Sequence, residues 1–132
     1  MSEHNLALEM KLGLKSHGKA FTLHAPTGYE HVLPSAVSTV SVEDLNQGTE
    51  WVQAFYLSKA MLEDEISRLK RCLAKDGQLW ISWPKKTSKV TTDLTDNVVR
   101  QVGINNGLVD VKVASINDIW SGLKFVYRLT DR

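Results

Sequence analysis

Two periods run along the chain, and the places where one gives way to the other mark its elements. The most regular stretch spans about Ser58 to Lys75, where Leu62, Ile66, Leu69 and Leu73 fall at i, i+4, i+7 and i+11. That spacing predicts a helix with one buried stripe. Ser58 is suited to cap its start, and Asp76-Gly77 reads as its stop, with the glycine free to take positive φ. Glu63, Asp64 and Glu65 near the start and Arg68, Lys70, Arg71 and Lys75 near the end complement the helix dipole, and Asp64–Arg68 forms an i,i+4 pair. Upstream, residues 4–12 predict a short amphipathic helix with Leu6, Met10 and Leu14 on one side, broken by Gly13 and Gly18. A strand follows at 19–24, then a turn at Ala25–Gly28 and one helical turn from Tyr29 to Leu33, stopped by Pro34. Weak alternation over 37–42 suggests a second strand. Trp51 to Leu57 is aromatic and β-branched enough to be a strand covered on both faces.

Downstream, Gln78 to Trp83 predicts a strand ended by Pro84, and Asp93 to Asn105 a helix with Leu94, Val98 and Val102 inward, terminated by Gly107. Val109, Val111 and Val113, then Leu123, Phe125, Tyr127 and Leu129, mark two half-exposed strands. The loop 115–122 is short enough to join them as an antiparallel hairpin. Strands and helices in alternation, with nearly continuous apolar central strands, predict a three-layer α/β domain.

At 132 residues the chain is one domain over its whole length, and 42% hydrophobic with 23% charged residues excludes disorder. A net charge of +1 removes any global field for nucleic acid or membrane. The single cysteine, Cys72, forbids an internal disulfide and fits a reducing, cytoplasmic setting. No apolar run reaches the ~20 residues of a membrane span. Glu3 and Glu9 break up the N-terminal apolar residues, so no signal peptide is expected.

The order of parts from Trp51 onward then becomes recognisable. The strand 51–57, the helix 58–75, Asp76-Gly77, the strand Leu79-Trp80-Ile81-Ser82-Trp83-Pro84, a helix ending in Gly107-Leu108-Val109-Asp110 and the hairpin resemble the C-terminal half of a class I S-adenosylmethionine-dependent methyltransferase. From Leu12 onward, Trp83-Pro84-Lys85-Lys86-Thr87-Ser88-Lys89 and Trp120-Ser121-Gly122-Leu123 resemble a family of small bacterial Rossmann-like proteins without assigned chemistry. The resemblance implies a Rossmann-like, mostly parallel sheet ending in an antiparallel hairpin. It also implies where a cofactor would sit: a glycine-rich loop after the first strand and a carboxylate after the second. In Thr22–Tyr29 only Gly28 fits that loop, and Pro26 removes an amide donor. Glu43 or Asp44 stands where the carboxylate belongs, and the chain is one strand–helix unit short between 42 and 51. No cofactor is therefore expected.

Ligands of open parallel sheets bind beyond the carboxyl ends of the strands, where strand order reverses. That crevice would be lined by His24–Tyr29, Tyr56–Ser58 and the loop after Trp83. Between Asp76 and Asp93 lie Lys85, Lys86 and Lys89 with Thr87, Ser88, Thr91 and Thr92 and no acidic residue. Lys85, Lys86, Ser88 and Lys89 with helix amides near Thr92 make an anion site; the plain alternative is a solvated loop whose Thr92 caps its own helix. His24, Thr27, Gly28 and Tyr29 would form the opposite lip of the same cleft. His17, His24 and His31 recur every seven residues but fall in a loop, a strand end and a turn, so no metal site is expected. His24 is placed either for proton transfer or for a bond to the neighbouring loop. Arg68, Arg71 and Lys75 beside Cys72 would favour a thiolate; its place by the apolar stripe makes it a small hydrophobe instead. Trp80 and Trp83 point to opposite faces of one strand.

No catalytic constellation is present, so the expected function is non-catalytic binding of an anionic small molecule or a protein partner. One alternative is a methyltransferase with an atypical cofactor loop. Another is a homodimeric interaction module acting through the 109–129 hairpin, although Asp110 and Lys112 discourage edge pairing. Nucleic acid is not expected, since one three-lysine loop makes too few phosphate contacts.

Overall fold

Two strands with almost no exposed residue organise the chain in the computed structural model, which describes residues 6–14, 20–29, 32–33 and 37–132. They are β3 (Thr49–Phe55) and β4 (Leu73–Pro84). With β1 (Ala20–Leu23), β2 (Ser38–Thr39), β5 (Leu108–Ser115) and β6 (Trp120–Tyr127) they form one sheet in the order β2-β1-β3-β4-β6-β5. β2, β1, β3 and β4 run parallel, and β6 lies antiparallel between β4 and β5. Apolar strands of this kind need cover on both faces. α2 (Lys59–Cys72) and α3 (Asp96–Asn105) cover one, packing Leu62, Ile66, Leu69, Val99 and Val102 on Val52, Ala54, Leu79, Ile81 and Phe125. α1 (Leu6–Lys11) with Tyr29 and Leu33 covers the other, over Trp51, Phe55 and Trp80. The expected three-layer α/β architecture with its antiparallel hairpin is present.

Several local expectations change. It is Leu8 in α1 and Leu12 just after it, not Met10, that are buried; Met10 is 79% exposed. The reason is the carbonyl of Leu12, which accepts the indole N–H of both Trp51 (3.0 Å) and Trp80 (2.9 Å) and so sets the roll of the segment. Ser58 caps α2 as expected, accepting from the Met61 amide at 3.1 Å. The helix ends early, however, because Leu73 leaves it in extended conformation to pair with Thr49. Asp76-Gly77 therefore lies within β4, and Gly77 is not among the glycines at positive φ. Arg68 does not pair with Asp64; its guanidinium donates to the carbonyls of Val42 (2.8 Å) and Glu43 (3.0 Å) and anchors the short helical turn Val42–Asp44 that follows β2. Cys72 is buried, with its thiol 3.5 Å from the Leu45 carbonyl, as a small hydrophobe would be. The second strand shrinks from 37–42 to two residues. Trp80 and Trp83 do face opposite layers.

Buried polar groups in the sheet satisfy one another. Gln53 accepts from the Tyr29 hydroxyl at 2.7 Å and donates to Ser82 Oγ at 3.3 Å, tying the turn after β1 to β3 and β4. No helix among the described residues is long and apolar enough to cross a membrane.

Candidate functional site

Strand order reverses between β1 and β3, so their carboxyl ends form the switch point. His24 follows β1 in the left-handed region, at φ 56°, which for a residue with a Cβ costs backbone energy. Its Nε2 lies 2.9 Å from Glu65 Oε1, an oxygen that also accepts from the Tyr56 hydroxyl at 2.6 Å. The two rings meet edge-on with centroids 5.4 Å apart. Burial, then the bond and charge of Glu65, push the Tyr56 phenol far above its ordinary range. It stays protonated and donates, leaving Glu65 Oε1 as the acceptor. Sequence reading missed Glu65. The available signal was its place three residues after Leu62 and four before Leu69, on the flank of the buried stripe.

The lysine loop is pinned at several points. Lys85 donates its amide to the Ile119 carbonyl (2.7 Å) and its ammonium to Ser115 Oγ (2.6 Å). Ser88 Oγ turns back to the Lys85 carbonyl at 2.6 Å. Lys85 and Lys86 lie on a hollow of about 300 Å³ at the end of β4, together with Trp83, Pro84, Thr87, Leu94, Thr95, Asp96, Val113 and Ser121. Ser88, Lys89 and Thr92 are not part of that lining. α3 begins later than expected: Thr95 is its cap, accepting from the Val98 amide at 3.2 Å, and Asp96 Oδ1 accepts from the Asn97 amide at 2.8 Å. Thr92 instead donates to the Leu57 carbonyl at 2.6 Å. The first-turn amides of Asn97 and Val98 are thus taken by the chain's own oxygens.

Thr27, Gly28 and Tyr29 line a second hollow of about 280 Å³ with Pro26, Val32, Asn117, Ile119 and Trp120. Tyr29, Phe55 and Trp120 stack edge-on in sequence beneath it, with centroids 4.8 and 5.1 Å apart. Burial raises the Tyr29 phenol well above its ordinary range, against the opposing pull of the Gln53 bond. The two hollows lie at the same end of the sheet, and the Lys85–Ile119 backbone bond links their walls. They are two depressions where one cleft was expected, and His24 lines neither. His17 and His31 lie outside the described residues; among the described ones no group of His, Cys, Asp or Glu could hold a metal ion.

No protein-family model matches the chain, and no curated protein matches it by sequence. Solved structures do. The chain is similar to magnesium protoporphyrin IX methyltransferase (ChlM) from Synechocystis PCC 6803 with bound SAM, at 12% identity and a TM-score of 0.64, over 92% of this chain and 76% of that one. It is similar to a ribosomal protein L11 methylase from Lactobacillus delbrueckii subsp. bulgaricus, at 13% and 0.62, over 92% and 76%. A LepI complex with SAM matches at 10% and 0.58, over 93% of this chain; the chain spans 39% of that protein's length. At these identities the likeness shows the fold, which is Rossmann-like and methyltransferase-like.

S-adenosylmethionine (SAM) is the cofactor this fold implies, and the described residues at the switch point fit it poorly. Glu43 and Asp44 are exposed after β2, where a ribose-binding carboxylate belongs. The loop after β1 is the mismatch. Pro26 has no N–H, its carbonyl is taken by the Tyr29 amide at 3.0 Å, and His24, Tyr56 and Glu65 bond to one another across the strand ends.

Proposed function

We propose that this is a non-catalytic protein of the methyltransferase-like fold, cytoplasmic and of the small bacterial kind its motifs resemble, that binds a small anionic organic molecule at the carboxyl end of its sheet. The hollow at the end of β4 carries the reading. Trp83, Leu94 and Val113 offer apolar surface for the body of a ligand, and Lys85 and Lys86 offer charge for its carboxylate or phosphate. Asp96 in the same lining leaves the site one positive unit in balance, which suits a singly charged group better than a polyanion. Lys85, held by Ser115 and by its backbone bond, presents that charge from a fixed place.

A thermal-shift and calorimetric screen of organic phosphates and carboxylates tests it. A ligand at 100 times its Kd should stabilise the fold by about 2.7 kcal/mol. The Lys85→Ala/Lys86→Ala variant should lose binding and remain folded. A screen in which nothing stabilises the wild type defeats the reading. The likeness to SAM-bound methyltransferases supports the rival reading, a methyltransferase with an atypical cofactor loop; micromolar binding of S-adenosylmethionine or S-adenosylhomocysteine would establish it instead.

A further inference from the structure

At the opposite end of the sheet the chain gathers positive charge that its own carboxylates do not neutralise. Tyr127, near the end of β6, donates its hydroxyl to the Lys70 carbonyl and so holds its ring against the end of α2. Over that ring stand two ammonium groups, Lys75 Nζ at 4.5 Å and Lys70 Nζ at 5.6 Å from the centroid. Gly107, at φ 86°, leaves the space beside them open. A Cβ there would stand 2.6 Å from Lys70 Nζ and 3.3 Å from Arg128 Nη2, so both cations crowd one point. Arg71 and Lys75 line a hollow of about 500 Å³ with Tyr127, Gln47, Gly48 and Leu73.

Among the described residues Lys70, Arg71 and Lys75 form no ion pair, and the one carboxylate tied into the group, Asp131, is held by Arg128 at 3.1 Å. Cations at a helix C-terminus ordinarily offset the dipole. That accounts for Lys70 and Arg71 but not for Lys75, which lies in β4, or Arg128, which follows β6. Like charges this close repel, and aromatic faces recover only part of the loss. We infer that this hollow is a second anion site, built for a compact multiply charged phosphate such as a diphosphate or triphosphate group. Several oxygens on adjacent phosphorus atoms can meet Arg71 and Lys75 together, as a lone carboxylate cannot. The site is independent of the Lys85–Lys86 hollow, which lies at the carboxyl end.

Inorganic tripolyphosphate is the probe, titrated by calorimetry at low salt against three proteins. Wild type and Lys85→Ala/Lys86→Ala should bind it equally. Arg71→Ala/Lys75→Ala, which changes two exposed side chains, should bind at least about tenfold more weakly for each charge-assisted hydrogen bond it removes. No binding by wild type, equal binding by the Arg71/Lys75 variant, or loss with the Lys85/Lys86 variant would each overturn the assignment. So would binding of a single-stranded oligonucleotide without binding of tripolyphosphate.

Discussion

Gly103→Ala sets two well-calibrated effects against each other. Gly103 lies inside α3, where alanine is favoured over glycine by about 0.8–1.0 kcal/mol. Propensity alone therefore predicts a more stable protein. The structure predicts the reverse. A Cβ at Gly103 would lie 2.1 Å from Phe125 Cε1, 2.4 Å from Cζ and 2.7 Å from Cδ1, where carbon atoms settle about 3.5–4.0 Å apart. Phe125 is fully buried, so its ring cannot swing out into solvent, and the ring or α3 must shift within the core. Overpacking of this kind costs about 1–3 kcal/mol, and contact with three ring atoms puts it in the upper part of that range. The net expectation is a loss of about 1–2 kcal/mol. Urea unfolding followed by circular dichroism should show the midpoint falling by roughly 1 M with an unchanged slope. Phe125→Leu should cost less in the Gly103→Ala protein than in wild type, since residues in contact couple by about 0.5–3 kcal/mol. A midpoint that rises, or an equal cost of Phe125→Leu in both backgrounds, would refute the argument. The consequence reaches the hollow at the end of β4, because α3 contributes Asp96 and its cap Thr95 to the same lining as Lys85.

Tyr29 and Tyr56 both have phenols raised by burial above the ordinary value of 10.0. A raised folded value means stability that is complete below pH 10 and is lost as pH climbs beyond it, by about 1.4 kcal/mol per pH unit for each ring. Alkaline urea titrations should be less steep for Tyr56→Phe than for wild type, and identical slopes would contradict the burial account. Thr95→Ala should cost about 1 kcal/mol through the lost cap, while Thr95→Ser keeps it; equal stability of all three proteins would show that the cap lies elsewhere.

What the sequence revealed and what it hid separate along the range of the interactions concerned. The stripe Leu62–Ile66–Leu69 and the Ser58 cap are local, and both stand as read. The end of α2 was hidden because Asp76-Gly77 has the composition of a helix stop, while the actual exit depends on Leu73 finding Thr49 across the sheet. Near α1 the spacing pointed to Leu6, Met10 and Leu14, whereas the buried pair is Leu8 and Leu12. Only the distant tryptophans decide between them. The lysine-rich stretch was legible as a loop at the carboxyl end of the sheet, yet its division from residues 26–29 follows from a backbone bond between Lys85 and Ile119 that no side-chain pattern encodes. Lys70 and Lys75 were visible as helix-end charges. Their convergence on Tyr127 was not, because that residue is more than fifty positions away.

The shared carbonyl of Leu12 gives the N-terminal helix an unusual kind of security. If either indole is substituted, the oxygen keeps one donor, so neither tryptophan alone is indispensable to its solvation. If the helix departs, both indoles are stranded at once inside neighbouring strands. Tryptophan emission should therefore register undocking of residues 6–14 as a single cooperative event, read simultaneously from two points in the heart of the sheet.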